Sequence, residues 1–101
     1  MSRMFVVRYE TGAEAAEENQ RLVRQVFAQL NEERPDGLRY ATFRLADGVS
    51  FVHVGIVEGE TNPLTESAAF EEFQKGIGER LVAPLDRSDA TLVGSYRLLA
   101  D

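Results

Sequence analysis

LRYATFRLADGVSFVHVGIV, residues 38–57, decides the fold. Asp47-Gly48 at its centre is a hairpin turn signal, and the flanking residues are rich in β-branched and aromatic side chains. A two-residue turn there pairs Ala46 with Val49. Arg44 then opposes Phe51, Thr42 opposes His53 and Tyr40 opposes Gly55. On the other face Phe43 opposes Val52, Ala41 opposes Val54 and Arg39 opposes Ile56. A slip of one residue would scramble both sets, so the pattern itself supports this register. One face is aliphatic: Ala41, Phe43, Leu45, Val52, Val54 and Ile56. It is expected under helices. The other carries Tyr40, Thr42, Arg44, Phe51 and His53, with Val6 or Phe5 added by an earlier strand.

Reading outward, residues 4–9 form a first strand. Thr11-Gly12-Ala13-Glu14 has capping-box spacing, Thr at the N-cap and Glu three later. Ala15, Leu22, Val23, Val26, Phe27 and Leu30 then fall on one helical stripe, with Glu17, Glu18, Arg21, Arg24 and Gln25 opposite. The helix must stop before Pro35, and Pro35-Asp36-Gly37 is a turn. Asn62-Pro63 opens a second helical segment, with Ser67 as a rival cap that would leave Pro63-Leu64 as a separate turn. Phe70, Phe73, Ile77 and Leu81 keep helical spacing, which Gly76 and Gly78 weaken by about 1 kcal/mol each relative to Ala. Residues 90–99 are expected to be the last strand. The order β-α-β-β-α-β gives an α+β, ferredoxin-like domain: a four-stranded antiparallel sheet with two helices on one face.

The whole chain has 101 residues, which fits one domain, 1–101, with no linker or repeat. Hydrophobic residues make up 44% and charged residues 28%, the values of an ordinary globular domain. Eleven Lys and Arg against 17 Asp and Glu give a formal charge of -6. Such a surface repels phosphate backbones and anionic headgroups, so neither nucleic acid nor membrane is an expected partner. There is no Cys and one His. Thiolate metal sites, disulfides and Cys nucleophiles are excluded, and a His-rich metal site cannot be built. No apolar run approaches the ~20 residues of a membrane span. Met1-Ser2-Arg3 leads straight into a strand, so no leader is expected and the chain reads as cytoplasmic. No phosphate loop, serine elbow or metal-ligand spacing is present. No cofactor is expected.

Both sheet faces read as covered, yet two helices cover only one. A second copy laid face to face supplies the missing cover and leaves a partly polar cavity between the sheets, so a homodimer is expected.

The β-α-β-β-α-β order, residues 40–45, Asp47-Gly48, Phe51-Val52-His53 and the Ser67-Ala68-Ala69-Phe70-Glu71-Glu72-Phe73 run resemble the dimeric α/β-barrel superfamily, in particular its antibiotic-biosynthesis-monooxygenase-like branch. The resemblance covers nearly the whole chain. It implies a homodimer with a pocket in each half of the barrel. Members include cofactor-free oxygenases of phenolic or quinoid substrates, haem-degrading enzymes and proteins without known activity. The oxygenase branch typically sets Trp and Asn beside the pocket, and this chain has no Trp. The haem-degrading branch needs a His on the second helix, and residues 63–81 contain none. Neither catalytic set carries over residue by residue.

Three residues on the mixed face are the candidate catalytic set. His53 is either a general base or a histidine packed at the dimer interface. Tyr40 either orients a phenol or quinone or packs as an aromatic. Arg44 either stabilises an oxyanion or makes an interface salt bridge. Asn19 interrupts the first helix's apolar stripe, so it must bond a loop backbone or face a pocket. One of Tyr96 and Arg97 faces the barrel. Phe70 and Phe73 are core, with Phe73 able to edge into a cavity. The expected function is a cofactor-free monooxygenase acting on a small aromatic or quinoid ligand; the alternative is a non-catalytic ligand-binding or scaffold homodimer.

Overall fold

A computed structural model describes residues 2–99; Met1, cited above for the chain's start, lies outside them. Four strands and three α-helices follow in order: β1 (Arg3–Glu10), α1 (Ala16–Glu33), β2 (Leu38–Arg44), β3 (Ser50–Val57), α2 (Ala68–Lys75), α3 (Ile77–Arg80) and β4 (Asp86–Ala90). The sheet order is β2-β3-β1-β4, with every neighbouring pair antiparallel. This is the ferredoxin-like α+β arrangement. No helix among the described residues is long and apolar enough to cross a membrane.

The β2–β3 register is the one read from the hairpin: Arg44 with Phe51, Thr42 with His53, Tyr40 with Gly55 and Ala41 with Val54. The turn is locked by Asp47, whose Oδ1 accepts from the Val49 and Ser50 amides at 3.0 and 2.8 Å. Those bonds hold its carboxylate below the usual range, the Ser50 hydroxyl contributing most. Gly48 sits at φ +81°, where a side chain would be strained.

The assignment of faces is reversed. Phe51, His53 and Val57 lie beneath the helices with Phe5 and Tyr9 of β1, packed against Leu22, Val23 and Val26 of α1 and Phe73 of α2. Tyr40 stacks on Phe27 of α1, ring centroids 5.1 Å apart. Ala41, Phe43, Val54 and Ile56 look the other way, and Leu92, Leu98 and Leu99 lie over them. The physical reason is Asn19. It is fully buried on the helix stripe and cannot be matched by aliphatic side chains, so the polar, aromatic sheet face must meet it.

Two local expectations also change, the Thr11 cap and the last strand. Thr11 does not cap α1; it bridges to Leu81, and its hydroxyl donates to the Val49 carbonyl at 3.3 Å. A 3-10 turn, Ala13–Ala15, opens the helix instead, with no side-chain cap. Arg34 closes α1 in the left-handed region at φ +50°, its amide bonded to the Leu30 carbonyl, one residue before Pro35. The second segment takes the alternative reading, a separate turn followed by a helix capped at Ser67. Asn62 caps a 3-10 turn, Pro63–Glu66, and Ser67 caps α2 by accepting from the Phe70 amide. The helix breaks at Gly76, as its weak propensity predicts. The last strand is Asp86–Ala90, earlier than residues 90–99, so neither Tyr96 nor Arg97 is a strand residue and Tyr96 is 83% exposed.

Candidate functional site

Adjacent strands put residues of equal register side by side. Across the helix face one row runs Tyr40, Gly55, Phe5 and the next runs Thr42, His53, Val7, Arg87. Gly55 lets the Phe5 ring lie flat on the sheet; a Cβ there would come within 2.7 Å of Phe5 Cε2. Gly55→Ala should therefore push Phe5 outward and lower stability by about 1–3 kcal/mol, the usual range for overpacking. A urea midpoint equal to that of the parent protein would show that the ring moves freely.

A chain of hydrogen bonds crosses this face. Arg80 Nε donates to Asn19 Oδ1 at 2.9 Å, and Asn19 Nδ2 donates to the Tyr9 hydroxyl at 2.9 Å. The Tyr9 hydroxyl meets His53 Nε2 at 2.7 Å. On the far side His53 Nδ1 meets the Tyr40 hydroxyl at 2.6 Å and Thr42 Oγ1 at 3.1 Å. Arg80 also donates to the Phe73 carbonyl at 2.7 Å and lies over the Phe73 ring. Among the described residues no buried side-chain nitrogen or oxygen is without a partner. Burial dominates the proton affinities: it pushes His53 down to about 4 and Tyr9 up to about 12, and raises Tyr40 as well. At neutral pH the chain holds a neutral imidazole between two neutral phenols.

The chain forms the floor of a cavity of about 290 Å³ between the sheet and α2. Its walls are Phe5, Val7, Leu64, Phe70, Phe73 and Ile77, and its mouth carries Asn62, Gln74, Leu85 and Arg87. Apolar walls around a few convergent polar groups are the usual form of a small-molecule site. The ring of Phe5 lies under the Arg87 guanidinium, 5.0 Å from its centre.

Of the three candidates, His53 and Tyr40 come together and Arg44 does not. Arg44 lies on the same sheet face but outside this cavity. It is held by Glu17 at 3.0 Å, Gln20 at 2.8 Å and the Gly48 carbonyl at 2.9 Å. Asn19 takes neither of its expected roles; it joins Arg80 to Tyr9. Phe73 lines the cavity as allowed for, and Phe70 does too. Tyr9, Arg80 and Arg87 were not anticipated. Tyr9 had a legible signal, since it lies four residues from Phe5 on the same strand face and pairs with Phe51. Arg80 had none, because it follows a helix break. Among the described residues no three His, Cys, Asp or Glu side chains cluster to hold a metal.

No family profile matches the chain, and neither does any curated protein sequence. Solved structures do. A Mycobacterium tuberculosis protein aligns over 94% of this chain and 98% of its own, at a TM-score of 0.74 and 17% identity. A mutant of SnoaB, a cofactor-independent oxygenase from Streptomyces nogalater, aligns over 93% and 95%, at 0.68 and 15%. A Bacteroides thetaiotaomicron protein provisionally named an antibiotic biosynthesis monooxygenase aligns over 91% and 90%, at 0.77 and 14%. The chain therefore has the ferredoxin-like fold of the antibiotic-biosynthesis-monooxygenase-like proteins. Identities of 14–17% carry the fold and leave the chemistry to the site.

Proposed function

We propose that this one-domain chain binds a small planar aromatic or quinoid molecule in the cavity above His53 and Tyr40, and acts on it as a cofactor-independent monooxygenase. The observation that carries this reading is the cavity itself: about 290 Å³, walled by aromatic rings and floored by a buried tyrosine–histidine–tyrosine chain. The solved oxygenase with this fold supports it. An electron-rich phenolate reacts with oxygen without a cofactor, so the protein need only take a proton, exclude water and hold the oxygen-bearing ring. With 1-naphthol the balance is one naphthol and one O2 to one 1,4-naphthoquinone and one water. One oxygen atom enters the ring and the other leaves as water. The Tyr9 hydroxyl lies between the cavity and His53 Nε2, so the phenol proton reaches the imidazole through Tyr9. Arg44 has no part in this pathway.

We further propose a homodimer joined through the open sheet face. Aliphatic Ala41, Val54 and Ile56 point away from the single helix layer; Leu92, Leu98 and Leu99 cover them only in part and are themselves mostly exposed, and a second copy of this apolar surface is the occupant that matches it. The acidic, cysteine-free composition supports a cytoplasmic setting without nucleic acid or membrane partners.

The test is addition of 1-naphthol under air, followed by oxygen uptake and by the imidazole resonances of His53. Binding with turnover is expected. His53→Phe should then cut turnover by about 10²–10⁴-fold, the range of a lost proton acceptor. Absence of any binding would reduce the cavity to a packing defect. Binding without oxygen uptake would establish the second reading, a non-catalytic ligand-binding dimer. One observation favours that reading: the polar chain is satisfied internally before any ligand arrives.

A further inference from the structure

We infer that Arg80, a buried side chain outside the cavity, sets the direction of every hydrogen bond along the chain and so turns the Tyr40 hydroxyl into a donor aimed at the ligand. The inference rests on the cavity being the binding site proposed above, and it selects the ligand's chemistry: the group held at Tyr40 must be an oxygen acceptor, such as a quinone carbonyl or a phenolate.

The argument starts from what each group is able to do. A guanidinium only donates, so the Asn19 atom facing Arg80 Nε at 2.9 Å must be the carbonyl oxygen. That fixes the amide the other way round at its far end, and Asn19 Nδ2 donates to the Tyr9 oxygen at 2.9 Å. Tyr9 is 4% exposed, and its hydroxyl meets only Asn19 and His53 among the described residues. Asn19 has nothing to accept with at that end. The Tyr9 proton can go only to His53 Nε2. Were Nε2 protonated instead, the Tyr9 O–H would be a buried donor without an acceptor, a state that folded proteins avoid.

Nε2 is thus the bare nitrogen of the neutral ring, and Nδ1 carries the hydrogen. Nδ1–H donates to the Tyr40 oxygen at 2.6 Å, with Thr42 Oγ1 at 3.1 Å as a second acceptor. Tyr40 has no acceptor at Nδ1, so its own proton must point elsewhere. Tyr40 lines the cavity and is half-buried. Its O–H is available to a ligand oxygen there. Among the described residues the buried cation has no carboxylate partner within 4.0 Å, so its charge polarises the whole chain in one sense. Arg80 touches no ligand in this scheme; it is a positioning residue.

The experiment reads the tautomer directly. The chain has one histidine, so a long-range 1H–15N spectrum of the labelled protein shows a single imidazole. In the unliganded parent protein near neutral pH, Nδ1 is expected as the protonated nitrogen and Nε2 as the bare one. The reverse pattern overturns the inference with no variant needed. Arg80→Met should shift the ring toward the Nε2–H form, and Arg80→Lys, which still donates to Asn19, should restore the parent pattern. A folded Arg80→Met protein with an unchanged imidazole also overturns it. For the ligand, 1,4-naphthoquinone accepts but cannot donate. Tyr40→Phe should weaken its binding by about 3–10-fold, the worth of one hydrogen bond, while naphthalene binding stays level. The expected tautomer with neither probe bound would sink the proposed function yet leave the direction of the chain established.

Discussion

Phe51→Glu is expected to unfold the chain, and Val54→Glu, three residues on, to leave it folded and split the dimer. Phe51 is 1% exposed and stacks on Tyr9 at 5.6 Å. Truncating such a ring alone loses about 3–5 kcal/mol. A buried carboxylate adds several kcal/mol more, against a total stability of about 5–15 kcal/mol for a domain. Arg44 lies 5.7 Å from the Phe51 ring centre but is already held by Glu17 and Gln20. Val54 is part-exposed on the open face, beside a water-accessible space under Leu92, Leu98 and Leu99, so a charge there stays hydrated in the monomer. In the proposed dimer two such carboxylates are buried, and at roughly 2 kcal/mol each they weaken association about a thousandfold. Thermal melting separates the first outcome and sedimentation the second. A folded Phe51→Glu protein would contradict the placement of this strand. A parent protein that sediments as a monomer would remove the dimer.

Stability should fall on both sides of neutrality, and the buried chain sets both flanks. His53 titrates at about 4 in the folded chain against 6.5 unfolded. Between those values the unfolded chain holds a proton that the folded chain lacks, so acid favours unfolding. The contribution is present in full above pH 6.5 and is lost as pH falls toward 4, amounting to about 3 kcal/mol. On the alkaline side Tyr9 is raised from 10.0 to about 12, so the unfolded chain releases its proton first and stability drops as pH climbs through that window. Urea titrations at stepped pH test this. His53→Gln keeps a donor and an acceptor but does not titrate, so its acid flank should be shallower by the His53 share. An unchanged slope would mean that the imidazole is solvated in the folded state.

Strand register was legible because period-two patterning and a Gly turn leave few alternatives. Facing was not, because the rule that aliphatic surfaces go under helices fails when the helix itself brings a buried amide. Asn19 was the clue: a polar atom on an apolar stripe demands a polar sheet face, and only one face carried His53 and Tyr40. The fourth strand was missed for a related reason. Asp86-Arg87-Ser88-Asp89-Ala90 has little intrinsic strand preference and is held by pairing with β1, whereas the apolar residues after it look more strand-like and lie over the open face. Of the candidate site, the pair His53 and Tyr40 was legible from register alone. Arg80 and Arg87 were not, since each reaches the site through tertiary placement that no local pattern encodes.

The polar last strand has a consequence for growth. A sheet can extend sideways without limit if its outer strands offer flat, uncharged backbone to a newcomer. Here one outer strand carries Asp86, Arg87 and Asp89, and the other carries Arg39 and Arg44. Lateral recruitment must strip water from those charges at each step. In the proposed dimer, stacking through the aliphatic face buries mainly Ala41, Val54 and Ile56 with Arg39 alongside them, and it would end after one partner because the helices cap the outside of each copy. The proposed pairing would thereby close on itself instead of growing into a fibre.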